Sequence, residues 1–457
     1  MSIAHTPFYN VQHSPIGSFA SFTLGYPGAK GGFGLELGRP ANDSLYIGVQ
    51  SRDGTCFEAL PFFAGTEDPS RRYDQNAAEK QRAVLLPFAP QAITRRLGLA
   101  TDTWQAGDLE FRIITQYRSV PDPESSRSSS SSLKAALVPA VWAELTIDNR
   151  EGKLPRRAFF GYQGSDPYAN MRHFHGPGDM IGIGQGTATA LASRDKGLKA
   201  YQAFTVDRIL NPELEDEIPF GLGGVAALTA QIPAGQKKSF RFALCFYRNG
   251  TATSGLPSTY FYNRFFSSIE EVARYALAQS SSVFTQARLA DLSLQKSKLS
   301  PEQQWQLAHA VHSYYGSTQL LDCQKKPFWV VNEGEYRMLN TFDLTADQVF
   351  FELELNPWTV RNELDWFVKR YSYVDKVRFP GQSKEFPGGI SFTHDMGIGN
   401  VISRPHWSSY EKQGLHGCFS HMTHEELVNW ILCALLYVHR SGDKLWLKKI
   451  FPSSSVA

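Results

Sequence analysis

The 457-residue chain carries 46 Lys and Arg against 44 Asp and Glu, a formal net charge of +2, a balance that argues against a nucleic acid or an anionic membrane as partner. With 42% hydrophobic residues, including 31 Phe, 19 Tyr and 9 Trp, it is too apolar for disorder and long enough for several domains of roughly 100–200 residues each. No apolar run approaches the roughly 20 residues of a membrane-spanning helix.

The first ten residues lack the cationic start and continuous apolar stretch of a secretory signal, so a cytoplasmic location is expected. Five cysteines (Cys56, Cys245, Cys323, Cys418 and Cys433) are odd in number and widely spaced. They read as buried free thiols in a reducing compartment.

Up to about residue 260 the pattern is strands and turns. Val141, Ala143, Leu145 and Ile147 alternate with Trp142, Glu144, Thr146 and Asp148, which predicts a half-buried strand ending in the turn at 149–152. Phe240, Phe242, Leu244 and Phe246 repeat the period of two after Pro233-Ala234-Gly235. Several such segments with no helical spacing between them imply a sheet-rich sandwich. The serine-rich run from Ser125 to Ser132 offers nothing to bury and is expected to be a flexible loop tip.

Two glycine-bearing strings have no phosphate-binding context. Gly182, Gly184 and Gly186 lie in β-rich text without a following helix, so a glycine-bearing turn is expected there, and Gly25 to Gly34 contains Lys30 but no Gly-Lys-Ser/Thr. His173 and His175 have no evident third ligand nearby, so a surface loop is expected there rather than a metal site.

After about residue 267 the period becomes helical. Ile269, Val272, Tyr275 and Ala276 open a helix running to about Lys298, and Ser300-Pro301-Glu302-Gln303 is a capping box ahead of Trp305, Ala308 and Val311. Thr423-His424-Glu425-Glu426 repeats the device. Between them, Thr345 to Tyr371 reads as two helices parted at Asn356-Pro357. The reading is therefore a multidomain α and β chain, with a β-sandwich over 1–265, a linker helix over 266–299 and a predominantly helical domain over 300–457.

Residues 329–425 hold the densest chemistry. The strand-like Trp329-Val330-Val331 ends in Asn332-Glu333-Gly334-Glu335-Tyr336-Arg337, two carboxylates whose burial would need Arg337 or a hydroxylated ligand beside them. Beyond lie Asn356-Pro357-Trp358, Phe386-Pro387-Gly388-Gly389, His394-Asp395-Met396-Gly397, Arg404-Pro405-His406-Trp407 and His421-Met422-Thr423-His424. Carbohydrate sites use this palette, because aromatic faces cover the apolar side of a sugar while carboxylates, His and Arg bond its hydroxyls.

Together these strings resemble the β-xylosidases of glycoside hydrolase family 52. The likeness rests on residues 329–338, on Asn340-Thr341-Phe342-Asp343-Leu344, and on residues 388–397 and 417–425. It extends to His13-Ser14-Pro15-Ile16-Gly17 with the following Phe19 to Gly25, and to Arg157-Ala158-Phe159-Phe160-Gly161.

The resemblance implies a retaining exo-glycosidase that releases xylose from the non-reducing ends of β-1,4-xylooligosaccharides, built from an N-terminal β-sandwich and a C-terminal (α/α)6 barrel. It places the nucleophile on Glu333 rather than Glu335. Asp343, His394 and Asp395 become hydroxyl-binding groups, with Glu335, Arg337, Trp358 and Arg404 as further substrate-binding candidates. Neither a metal nor an organic cofactor is expected, and the resemblance implies a homodimer. It also puts the family's acid/base Asp beyond Ala457, so an incomplete barrel lacking its proton donor is expected. A catalytically impaired or non-catalytic sugar-binding remnant stays open beside the intact activity.

Overall fold

The computed structural model describes residues 6–37, 39–65, 83–166, 168–176, 179–211, 224–334, 337–408 and 423–454. The chain divides into two units, one of Met1–Tyr117, Val138–Arg248 and Phe266–Gly316, the other of Arg118–Leu137, Asn249–Phe265 and Ser317–Ala457.

In the first unit the period-two segments become the strands Ala140–Asn149 and Gln236–Phe246, paired antiparallel with Val141 opposite Leu244 and Leu145 opposite Phe240. They are the centre of an eight-stranded antiparallel sheet running from Met171–Gly176 at one edge to Ile93–Leu97 at the other. A six-stranded sheet is built around Arg156–Gln163, Val225–Ile232 and Ser44–Gln50. Alternate residues of both sheets fill one core, where the Phe160 ring meets Phe111 and Phe242 edge-on at 5.1 and 5.3 Å.

The outer face of the larger sheet is buried too. The helix Ile269–Gln295 packs on it, and Trp142 Nε1 donates to Ala276 O at 2.9 Å. Ala140–Asn149 is thus buried almost throughout instead of half-buried, since a helix some 130 residues later in the chain covers the face that alternation alone leaves to water. The next helix, Pro301–Ser317, starts with the expected reciprocal box: Gln303 N donates to Ser300 Oγ at 3.3 Å and Ser300 N to Gln303 Oε1 at 2.9 Å.

Other expectations shift. Gly182 and Gly184 lie inside the strand Met180–Gln185, antiparallel to both neighbours, and only Gly186 turns the chain, at φ +54°. His173 and His175 sit on an edge strand rather than a loop. In the second unit, Ser129 caps a short helix, Ser130–Ala136, by accepting from Ser132 N at 3.1 Å. The serine run is therefore ordered by its own capping chemistry, and Leu133 and Ala136 are buried.

A charged cluster is sealed inside the first unit. Arg95 Nη2 donates to Asp102 Oδ2 at 2.6 Å, and its guanidinium lies 4.0 and 4.2 Å from the Tyr9 and Trp104 ring centres. His13 Nδ1 lies 2.8 Å from Phe22 O and its Nε2 2.9 Å from Asp102 Oδ2. Burial alone would push the Asp102 carboxyl up, but Arg95 and His13 overrule it and hold it well below the usual range. The His312 ring meets His13 edge-on at 5.4 Å, and burial, then His13, push it down to about 3.

The second unit mixes strand and helix where the sequence pattern suggests mostly helix. A six-stranded sheet runs in the order Thr259–Tyr260, Thr318–Cys323, Lys326–Glu333, Met338–Leu339, Gly397–Ile398 and Val401–Ile402. Beside it stand the helices Phe342–Leu355 and Pro357–Trp366, parted at Asn356 as expected, and Thr423–Ser441 with Lys444–Ser454. Cys245, Cys323 and Cys433 are buried free thiols and Cys56 is half-buried and free, while Cys418 lies outside the described residues.

Candidate active site

The strand Lys326–Glu333 is buried from Pro327 to Asn332 and surfaces at Glu333. Side-chain amides complete its backbone bonding. Asn362 Oδ1 accepts from Trp329 N (2.8 Å), and Asn340 both accepts from Val331 N (2.7 Å) and donates to Trp329 O (3.0 Å). These bonds fix how far the strand projects, and hence where the Glu333 carboxylate stands.

The chain then reverses tightly, pairing Glu333 with Met338 and Asn332 with Leu339. Gly334, Arg337 and Asn340 all have positive φ, at +26°, +54° and +48°. Two non-glycine residues in that region so close together is strain of the kind found around functional sites. Glu335 and Tyr336 lie outside the described residues, as do residues 417–422 of the motifs named above.

The reversal returns the chain beside its starting carboxylate, where Thr341 Oγ1 donates to Glu333 Oε2 at 2.9 Å. The helix Phe342–Leu355 begins at the next residue, with half-buried Asp343 in its first turn accepting from Leu344 N at 2.9 Å. Phe342 N donates to His394 O at 2.9 Å, which ties the 393–397 loop to the same helix end. In that loop Asp395 is fully buried, accepting from Gly397 N (2.9 Å) and Ser408 Oγ (2.7 Å), with His394 Nδ1 at 3.3 Å. Gly399 N donates to Arg337 O at 2.9 Å, closing the ring of contacts.

Glu333, Arg337, Asp343, His394 and Asp395 are thus carried on adjoining segments, although 62 residues separate the first and last in sequence. The Asp395 bonds to Gly397 N and Ser408 Oγ hold this loop in place. Two candidates are placed elsewhere. Trp358 is buried, its Nε1 donates to Val120 O at 2.8 Å and its ring abuts Trp329 edge-on at 5.8 Å, so its faces are spent on the core. Arg404 is exposed, its guanidinium 4.7 Å from the Trp407 ring centre. Thr341 has no role in the sequence reading; its one signal is a capping-type residue directly ahead of a helical pattern.

Behind the strand the helices bury two carboxyls the sequence reading passed over. Glu352 accepts from Trp329 Nε1 (3.3 Å) and Thr359 Oγ1 (3.0 Å), and Glu363 accepts from Thr345 Oγ1; both are fully buried. Burial first, then the neighbouring Glu352 charge, raises Glu363 well above the usual carboxyl range. A raised folded value means that the stabilising contribution is complete below the unfolded value of 4.5 and is lost as pH climbs through the folded one. Glu363→Gln keeps the neutral shape at every pH. It is expected to raise the melting temperature at pH 8 by about 2–4 °C and to leave it unchanged at pH 4, as thermal unfolding at the two pH values will show.

Among the described residues no group of three or more His, Cys, Asp or Glu is arranged to hold a metal ion, and no helix is long and apolar enough to cross a membrane.

The chain is 51% identical over 448 residues to a beta-xylosidase of Geobacillus stearothermophilus, a match covering 97% of this chain and 63% of that protein. A second beta-xylosidase of the same organism is 47% identical over 460 residues, covering 96% of this chain and 73% of the relative. The chain therefore spans somewhat under two thirds of the first relative's length. Residues 22–437 match the profile of glycosyl hydrolase family 52, a span that takes in strands of the sandwich, the Glu333 reversal and the 393–397 loop alike, and the chain belongs to that family.

Proposed function

We propose that this chain carries the nucleophilic half of a retaining exo-β-1,4-xylosidase acting on the non-reducing ends of xylooligosaccharides, with Glu333 as nucleophile. The observation that carries this reading is a half-buried carboxylate at the mouth of a buried strand, held by a side-chain donor. A Glu333 oxygen attacks the anomeric carbon as the glycosidic C–O bond breaks, giving a xylosyl ester. The departing oxygen takes a proton from a second carboxyl roughly 5–5.5 Å away, which then deprotonates the water that hydrolyses the ester. Asp343 and His394, with Arg337, line the approach and bond sugar hydroxyls. The resemblance supports reading that second carboxyl as an Asp and the helices of the second unit as part of an (α/α)6 barrel.

The test is intact-mass measurement after exposure to a 2-deoxy-2-fluoroxyloside bearing dinitrophenolate, a leaving group that needs no protonation. One fluoroxylosyl adduct is expected, located on Glu333 by fragmentation of the labelled peptide. An adduct on any other residue, Glu335 included, rejects Glu333. The non-catalytic reading draws on the apolar residues Val428, Ile431, Leu432 and Leu435, all exposed along the helix Thr423–Ser441. It predicts sugar binding with no adduct in the same experiment.

A further inference from the structure

The geometry points to Thr341 as a positioning residue that holds the Glu333 carboxylate for attack, an inference resting on the reading of Glu333 as nucleophile. Thr341 stands at the cap position of Phe342–Leu355, where a hydroxyl ordinarily accepts from the helix's own first-turn N–H groups. Ser129, Ser268 and Ser300 all do so at the starts of their helices. Thr341 does not cap: its hydroxyl is turned to Glu333 Oε2 at 2.9 Å, and the N–H three residues on, that of Leu344, is taken by Asp343 Oδ1 at 2.9 Å instead. The helix thus forgoes the hydroxyl cap that its neighbours use, an exchange that helix stability alone does not explain.

Burial makes the bond a firm one. Thr341 is 4% exposed, and its carbonyl accepts from Thr345 N at 3.1 Å, so the residue is anchored on its helix side. One donor on Oε2 leaves Oε1 for the anomeric carbon and fixes the rotation of the carboxylate plane. When water cleaves the xylosyl ester, negative charge returns to the carboxylate while the Thr341 hydroxyl is already aimed at it.

The experiment compares the full chain with Thr341→Val, which keeps the shape and loses the donor, and Thr341→Ser, which keeps the donor. Each is labelled with the dinitrophenyl fluoroxyloside over a range of reagent concentrations. Thr341→Val is expected to slow labelling at saturating reagent by about 10–100-fold, with half-saturation little changed. Thr341→Ser is expected to restore the rate. If Thr341→Val lowers the melting temperature but matches the parent in rate, Thr341 is only structural and the assignment is overturned. If the parent chain forms no adduct, or forms it away from Glu333, the nucleophile reading falls and takes this inference with it.

Discussion

Glu333→Ala is expected to lower xylosyl transfer from an activated aryl xyloside by about 10^4–10^6-fold, the scale of loss when a nucleophile is removed from a working constellation. The carboxylate is presented by a strand whose preceding residues are buried and bonded by Asn340 and Asn362, so truncation leaves a small cavity with its walls in place. Azide, a small anion, should enter that cavity and attack the same face of the anomeric carbon. The C–N bond forms as the bond to the aryl oxygen breaks, and the phenolate departs without needing a proton. The product expected is α-xylosyl azide, identifiable by NMR from its inverted anomeric configuration. A β-configured azide, or a variant that labels at the parent rate, means that another carboxylate attacks.

Asp102→Ala is expected to destabilise the first unit by about 3–5 kcal/mol, seen as a fall on the order of 10 °C in the melting transition that carries the sheets. The substitution strips the counter-charge from Arg95, whose side chain is essentially inaccessible to water, and removes the partner of His13 Nε2. Arg95 keeps its ring contacts with Tyr9 and Trp104 and, as hydrogen-bond acceptors, Tyr9 O at 2.6 Å, Pro7 O at 3.1 Å and Leu24 O at 3.4 Å. Carbonyl dipoles compensate a buried guanidinium less well than a carboxylate does. A shift of only one or two degrees would show that water reaches the cluster.

The same cluster sets an acid dependence. Unfolded His312 binds a proton near pH 6.5, whereas the folded residue resists protonation until about pH 3. The unfolded chain therefore holds more protons through that window, and stability falls as pH drops, by up to about 1.4 kcal/mol per pH unit. Asp102, held below its unfolded value, contributes in the same direction only in stronger acid.

Local chemistry was legible from the chain alone: the capping box at Ser300, the helix break at Asn356-Pro357, the strand running into Glu333, and the long family-specific string around it. Each depends on residues a few positions apart, and spacing records such relations directly. Folding added what spacing does not record. The second face of Ala140–Asn149 is buried because a later helix lies on it, and His13, Arg95 and Asp102 meet across three strands or loops of the first unit. Thr341 reaches Glu333 only because Arg337 and Asn340 take left-handed backbone that the intervening letters do not announce, and Trp358 turns into the core because Val120, far away in the chain, offers its carbonyl there. Those contacts join residues that are distant in sequence, so their energies depend on how the elements pack, and no stretch read by itself contains both partners.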